Sequence, residues 1–292
     1  MRQRIDSLPT VLTSFGYRPE YVAELEGLLP TVRAHHPDWP IVVGRGPLPG
    51  FDEPTLEVDA AGGKCRWTLP PLGLNDSEND FRKICDLKAW WMAQVWHKFG
   101  RLADPAINRV LWIDADARLN GPLDIEMDSE AEVVAGPWCY HDEHRPDYEY
   151  MCGGLLLFQG VNRGPVERIV DRWWGACSEH IQGLPDSTDF RADSDQELLT
   201  EVLTSAQTSG ADYVLLKLDH DKYNACPTVG KKLARRGIVD QWNIGHLKMR
   251  LPENRGRDWP PAEGYRMEAP IGTPVPERNL DSGHDDPSCG ES

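Results

Sequence analysis

Asp114 and Asp116 stand one residue apart, directly after the apolar run Arg109-Val-Leu-Trp-Ile113. Two carboxylates this close ionise together at low cost only when a cation sits between or beside them. Hard oxygen ligands suit Mg²⁺ or Mn²⁺. The apolar run has the length and β-branching of a buried strand, and in open α/β sheets ligands bind beyond the carboxyl ends of strands. An isolated Asp-x-Asp also occurs as a solvated acidic turn, so the pair takes its meaning from what surrounds it.

The surrounding chain reads as alternating strands and helices. Residues 9–15 predict a first strand, followed by a Gly16-Tyr-Arg-Pro19 turn. Val22, Leu25, Leu28, Leu29 and Val32 recur at helical spacing, with Pro30 expected to kink or shorten that helix. Residues 40–44 predict a second strand, so the chain opens as strand–helix–strand. The stretch 44–80 is rich in Gly, Pro and Asp, with a short strand near Leu56–Val58. Asn79 or Asp80 then caps a helix whose apolar face is Phe81, Ile84, Leu87, Trp91, Val95 and Phe99, ended by Gly100. Further strands are expected at Glu132–Gly136, at Cys152–Phe158 (entered through the double glycine Gly153-Gly154) and at 213–218. Val166, Ile169, Val170, Trp173 and Cys177 mark another helix. Ser194-Asp195-Gln196-Glu197 opens one more in capping-box form. The order predicts an α/β fold with a mostly parallel, Rossmann-like central sheet flanked by helices.

Composition bounds what such a fold could serve. The chain has 292 residues with 47 acidic against 31 basic, a net charge of −16. That field repels bare nucleic acid and anionic membrane surfaces; Lys231–Arg236 is a local basic exception. The seven cysteines (Cys65, Cys85, Cys139, Cys152, Cys177, Cys226 and Cys289) are odd in number and form no C-x-x-C pair, which argues against a zinc site or a disulfide framework and predicts a reducing cytoplasm. No secretory signal core or apolar run of membrane-spanning length is expected. The 11 Trp fall mostly at core spacing, although such rings also make stacking walls. From about Leu251 apolar periodicity stops, which predicts a domain over 1–250 and a loosely ordered Pro/Gly/acidic tail over 251–292.

Four segments carry a resemblance. Arg109 to Leu123 resembles the Asp-x-Asp segment of GT-A-fold glycosyltransferases, most nearly those of the glycogenin and galactosyltransferase type. Cys152-Gly-Gly-Leu-Leu-Leu-Phe158 is similar to that family's small-residue strand, Asp195-Gln196 to its Asp-Gln at a helix start, and Trp242-Asn-Ile-Gly-His246-Leu-Lys248 to its late His and Lys segment. The likeness spans roughly residues 9 to 250. It implies transfer of a sugar from a nucleotide-diphosphate donor, a UDP-sugar, to an acceptor hydroxyl with Mn²⁺ or Mg²⁺ as cofactor. A glycan, protein or small molecule suits the chain's charge better as acceptor than nucleic acid does.

The resemblance also implies roles. Asp114, Asp116 and His246 would hold the metal. Thr13 and Tyr17 would frame the base, while Lys88, Asp114 and Lys248 would reach the donor. Gly153 and Gly154 would leave room for the sugar, and Asp195 with Gln196 would stand at the reacting centre. An inverting reaction would need a carboxylate base, for which Asp195 or Asp193 is available; a retaining one would not. Each has a plainer reading. Lys88 and Lys248 suit a solvated face, Thr13 and Tyr17 ordinary turn packing, and Asp195 the helix N-terminus. The glycines suit a strand bulge, and His246 suits a packed surface. Two departures matter: Cys-Gly-Gly stands where the family has Asn-Ala-Gly, and Gly-His-Leu-Lys-Met-Arg replaces its His, Gly, Lys, Pro, Trp run.

Three other functions compete. Phosphatases with an Asp-x-Asp nucleophile carry it on the first strand and follow it with Thr, whereas here Ala117-Arg118 follows. Nucleotidyltransferases carry a Gly-rich basic loop after the first strand, which Ser14-Phe-Gly-Tyr-Arg18 matches poorly. A nucleotide-sugar- or carbohydrate-binding protein of the same fold, without turnover, would share every motif.

Overall fold

The computed structural model describes residues 2–16, 19–45, 55–58, 63–66, 78–140, 149–161, 163–183, 195–223 and 244–246. In chain order the elements are β1 (Arg2–Arg4), a 3-10 turn, β2 (Val11–Gly16), α1 (Pro19–His35), β3 (Ile41–Arg45), β4 (Thr55–Val58) and β5 (Gly63–Arg66). Then come α2 (Glu78–Phe99), β6 (Asn108–Ile113), β7 (Ala117–Leu119), β8 (Glu126–Asp128), β9 (Val133–Tyr140), β10 (Glu149–Met151) and β11 (Leu155–Gly160). The last are α3 (Pro165–Gly183), α4 (Asp195–Thr208), β12 (Val214–Asp219), the short α5 (His220–Tyr223) and β13 (Ile244–His246).

The α/β expectation holds: nine strands form one sheet in the order β10-β9-β11-β6-β2-β3-β4-β5, with β12 added on β9. The sheet is mixed rather than mostly parallel in its pairings. β6, β2 and β3 run parallel, and so do β9 and β12, but β4, β10 and β11 run against them. The reason is the local hairpin β3-β4-β5 and the return of the chain between β6 and β9 through β11, which needs no helical crossover.

β6 is buried at every position, as a strand covered on both faces must be. Its side chains alternate between two cores. Val110 and Trp112 pack with Trp91, Met92, Phe158, Trp173 and Leu203 beneath α2, α3 and α4. Leu111 and Ile113 pack with Leu25, Leu28, Val43 and Leu157 beneath α1. Burying one Leu of this kind contributes about 1.5–3 kcal/mol, so both faces hold β6 in register.

Several boundaries differ from expectation. α1 runs through Pro30 to His35 and is not shortened there. β9 extends to Tyr140, beyond the expected Gly136. Gly153 and Gly154 do not begin a strand; they lie in a break between β10 and β11, both of which pair antiparallel with β9. β1, β7, β8 and β13 form two small ribbons, β1-β8 and β13-β7, that periodicity did not reveal. Gly100 ends α2 as expected, with its N–H on Trp96 O at 3.3 Å. Cys85, Cys152 and Cys177 are free thiols. Among the described residues no helix is long and apolar enough to cross a membrane. Tyr17, Asp193, Ser194, the Lys231–Arg236 patch, Lys248 and the 251–292 segment lie outside the described residues.

Candidate active site

Asp114 leaves β6 where the sheet ends. Its N–H donates to Gly154 O at 3.0 Å, and its own carbonyl accepts from Ala117 N–H at 3.0 Å, closing a turn around Ala115 and Asp116. Trp112 donates its indole N–H to Asp114 Oδ1 at 2.7 Å. The carboxylate is thereby fixed by the strand that carries it.

Lys88 comes to this carboxylate from α2. It follows Leu87 on a helix whose neighbours Ile84, Leu87, Trp91 and Met92 are all buried, and is itself only 7% exposed. Its Nζ stands 3.1 Å from Asp114 Oδ1 and 3.3 Å from Asp195 Oδ2. It also donates to Gly153 O at 3.1 Å and lies 5.4 Å from the centre of the Trp112 ring. Burial works to lower the Lys88 pKa, but Asp114 and Asp195 outweigh it, so the ammonium is held above its ordinary value. The solvated-face reading of Lys88 therefore fails.

Asp195 opens α4 as a buried residue, 2% exposed. Its carbonyl accepts the Trp173 indole N–H at 2.8 Å. Burial raises its carboxyl pKa and Lys88 opposes that rise. Gln196 accepts the Gly153 N–H at 3.0 Å through Oε1. Gly153 is thus gripped on both sides, by Gln196 and by Lys88. A Cβ there would lie 2.6 Å from Lys88 Nζ. The room expected for a sugar at Gly153 is occupied by the lysine ammonium, which is a correction to the expectation. Gly154 contributes its carbonyl to Asp114.

Thr13 is a second correction. It is fully buried, donates to Val42 O at 2.7 Å and accepts from Trp91 Nε1 at 2.6 Å. Both bonds lie within the core, so Thr13 braces β2.

An open cavity of about 550 Å³, counting solvent at its mouth, lies over this end of β6. Phe15, Tyr21 and Trp112 give it an aromatic side; Lys88, Asp114 and Asp116 give it a charged side. Pockets of this kind bind small molecules through apolar walls and a few placed polar groups. Sequence reading missed Phe15, Tyr21 and Trp112; Phe15 beside Gly16 and Trp112 two residues before Asp114 were the available signals.

The donor set fits a hard divalent cation in part. Asp114 and Asp116 both line the cavity. β13 pairs antiparallel with β7, which sets His246 opposite Ala117, the residue after Asp116. The two carboxylates suit Mn²⁺ or Mg²⁺. Among the described residues no group of three such side chains is assembled for a metal. Asp114 Oδ1 already takes Trp112 and Lys88, which leaves Oδ2 as the oxygen for a cation.

No family model matches the chain, and no curated protein matches it in sequence. Solved structures are similar in shape. One is a glycosyltransferase involved in the glycosylation of the major capsid of PBCV-1, 13% identical, with 82% of this chain and 93% of that chain covered at a TM-score of 0.47. Another is the galactosyltransferase LgtC in complex with donor and acceptor sugar analogs, 15% identical, with 82% of this chain and 87% of that chain covered, also at 0.47. Likeness at this level assigns no residue a role.

Proposed function

We propose that this chain is a metal-dependent glycosyltransferase of the GT-A type, moving a sugar from a UDP-sugar to an acceptor hydroxyl. The observation that carries this reading is the meeting of Lys88, Asp114 and Asp116 in one aromatic-walled cavity at the carboxyl end of β6. A nucleoside diphosphate needs an apolar wall for the base, which Phe15, Tyr21 and Trp112 offer, and positive charge for its phosphates, which a cation held by Asp114 and Asp116 would supply beside Lys88.

In the reaction the bond from the anomeric carbon to the diphosphate breaks, its electron pair leaves on the phosphate oxygen, and the acceptor oxygen bonds the anomeric carbon as its proton passes to the departing diphosphate or to a carboxylate base. The difficult step is the charge that grows on the leaving diphosphate. Lys88 is a charged, preorganised group beside the cavity, and such groups stabilise developing charge without reorganising. Asp195 keeps that ammonium charged and aimed, and Gln196 and Gly153 fix its height above the sheet. A divalent cation held by Asp114, Asp116 and His246 would supply further Lewis-acid stabilisation of the same leaving group.

A panel of nucleotide sugars in a thermal-shift experiment with Mn²⁺ tests this reading, because a bound ligand raises apparent stability with its affinity. At least one UDP-sugar should raise the melting temperature only when Mn²⁺ is present. No shift with any nucleotide sugar would count against it. One observation favours a second reading, a nucleotide-sugar-binding protein without turnover: Lys88 already pairs with Asp114. Binding that proceeds equally in EDTA, with no UDP released, would support that instead.

A further inference from the structure

The acidic turn is held from beneath. Arg118 doubles back so that Nη1 donates to the carbonyls of Ala115 at 3.3 Å and Ala117 at 2.7 Å, the two residues flanking Asp116. Its Nη2 donates to Glu24 Oε2 on α1 at 3.1 Å. The two side chains are only 9% and 6% exposed. α1 leaves space for them at Gly27, where a Cβ would stand 1.9 Å from Arg118 Nη2.

A buried ion pair is weak evidence of stability, since desolvation offsets much of the attraction. What this one adds is geometry. A planar guanidinium reaches two carbonyls and a carboxylate in fixed directions, which a lysine ammonium on a flexible stem does not do. We infer that Arg118, clamped by Glu24, is a positioning residue that fixes the backbone spacing of Asp114 and Asp116 for a single divalent cation. The inference rests on the metal reading proposed above.

The test compares the full-length parent with Arg118→Lys and with the double variant Glu24→Gln/Arg118→Met, which removes both charges and strands neither. Affinity for Mn²⁺ alone is read by electron paramagnetic resonance, the Ala117 amide by hydrogen exchange, and folding by urea denaturation. Both variants should fold, exchange the Ala117 amide faster and bind Mn²⁺ about tenfold more weakly or worse, the usual loss when an outer-shell partner goes. If Arg118→Lys does not fold, the double variant decides. A folded double variant that binds Mn²⁺ as the parent does overturns the inference and leaves the metal reading standing. A parent that binds no Mn²⁺ overturns the metal reading and this inference with it.

Discussion

Lys88 Nζ and Asp114 Oδ1 stand 3.1 Å apart across the gap between α2 and the end of β6. The same ammonium is 3.3 Å from Asp195 and bonded to Gly153. One buried cation therefore ties together four segments that are far apart in the chain: the middle of α2, the Asp-x-Asp turn, the break before β11 and the start of α4.

Removing that cation should cost both stability and turnover. Lys88→Met leaves Asp195 buried without its counter-charge, and breaking a buried pair from one side costs about 3–5 kcal/mol. The urea midpoint should fall accordingly. UDP-sugar turnover should drop by about a hundredfold or more, as when one preorganised electrostatic contact is removed. An unchanged midpoint would mean that Lys88 is not the hub described.

Gly153→Ala should act through Lys88. The added methyl would stand 2.6 Å from Nζ, so the ammonium must leave its place between Asp114 and Asp195. Overpacking of this kind costs about 1–3 kcal/mol. The expected signature is a large fall in kcat with a smaller loss of stability. Gly153→Ala with parental kinetics would show that the room at Gly153 does not matter.

Trp112→Phe keeps an aromatic ring in the core and removes the N–H that holds Asp114 Oδ1 at 2.7 Å. Hydrogen bonds to charged groups contribute about 1.5–3 kcal/mol. The variant should lose roughly tenfold or more in kcat/KM. Steady-state kinetics against UDP-sugar decide it, with parental values as the contrary result.

Acid should loosen α1 through His36. Burial, helped by His35 and opposed by Asp6, holds the His36 pKa down to about 4. The neutral ring stacks on Trp39 at 3.8 Å and accepts the Leu123 N–H through Nε2 at 3.3 Å. Its folded value is depressed, so between the ordinary value of about 6.5 and the folded one the unfolded chain holds the extra proton. The stability from the neutral ring is complete above the unfolded value and is lost as pH falls toward the folded one, by up to roughly 3 kcal/mol. Urea midpoints at pH 7 and pH 4.5 should fall more in the parent than in His36→Gln, which keeps an acceptor for Leu123. Equal falls would remove His36 from the account.

The buried strand and its acidic end were legible in the sequence because both are local. Four apolar residues and two carboxylates need no tertiary information, and the Leu87 stripe of α2 likewise announced itself at helical spacing. What periodicity cannot encode is which polar group lies inside. Lys88 and Asp195 looked like solvated or helix-end charges, and only the packing of α2 against α4 and the break at Gly153 makes them a buried pair. Thr13 erred the other way. The resemblance set it beside the base, but the indole of Trp91, far along the chain, claims its hydroxyl. Arg118 escaped notice because its partners are two carbonyls close by and one carboxylate on α1. The mixed sheet was invisible for a related reason: a strand reads alike whichever way its neighbour runs.

The central claim is that Asp114 and Asp116 bring a divalent metal to a nucleotide sugar. Release of UDP from a UDP-sugar panel, with Mn²⁺ and with EDTA, measures it in the parent, Asp114→Asn and Asp116→Asn. The account predicts Mn²⁺-dependent UDP release by the parent with at least one sugar, and its loss in both variants while each stays folded. Release that survives both substitutions, or no release or binding of any nucleotide sugar by the parent, would contradict it.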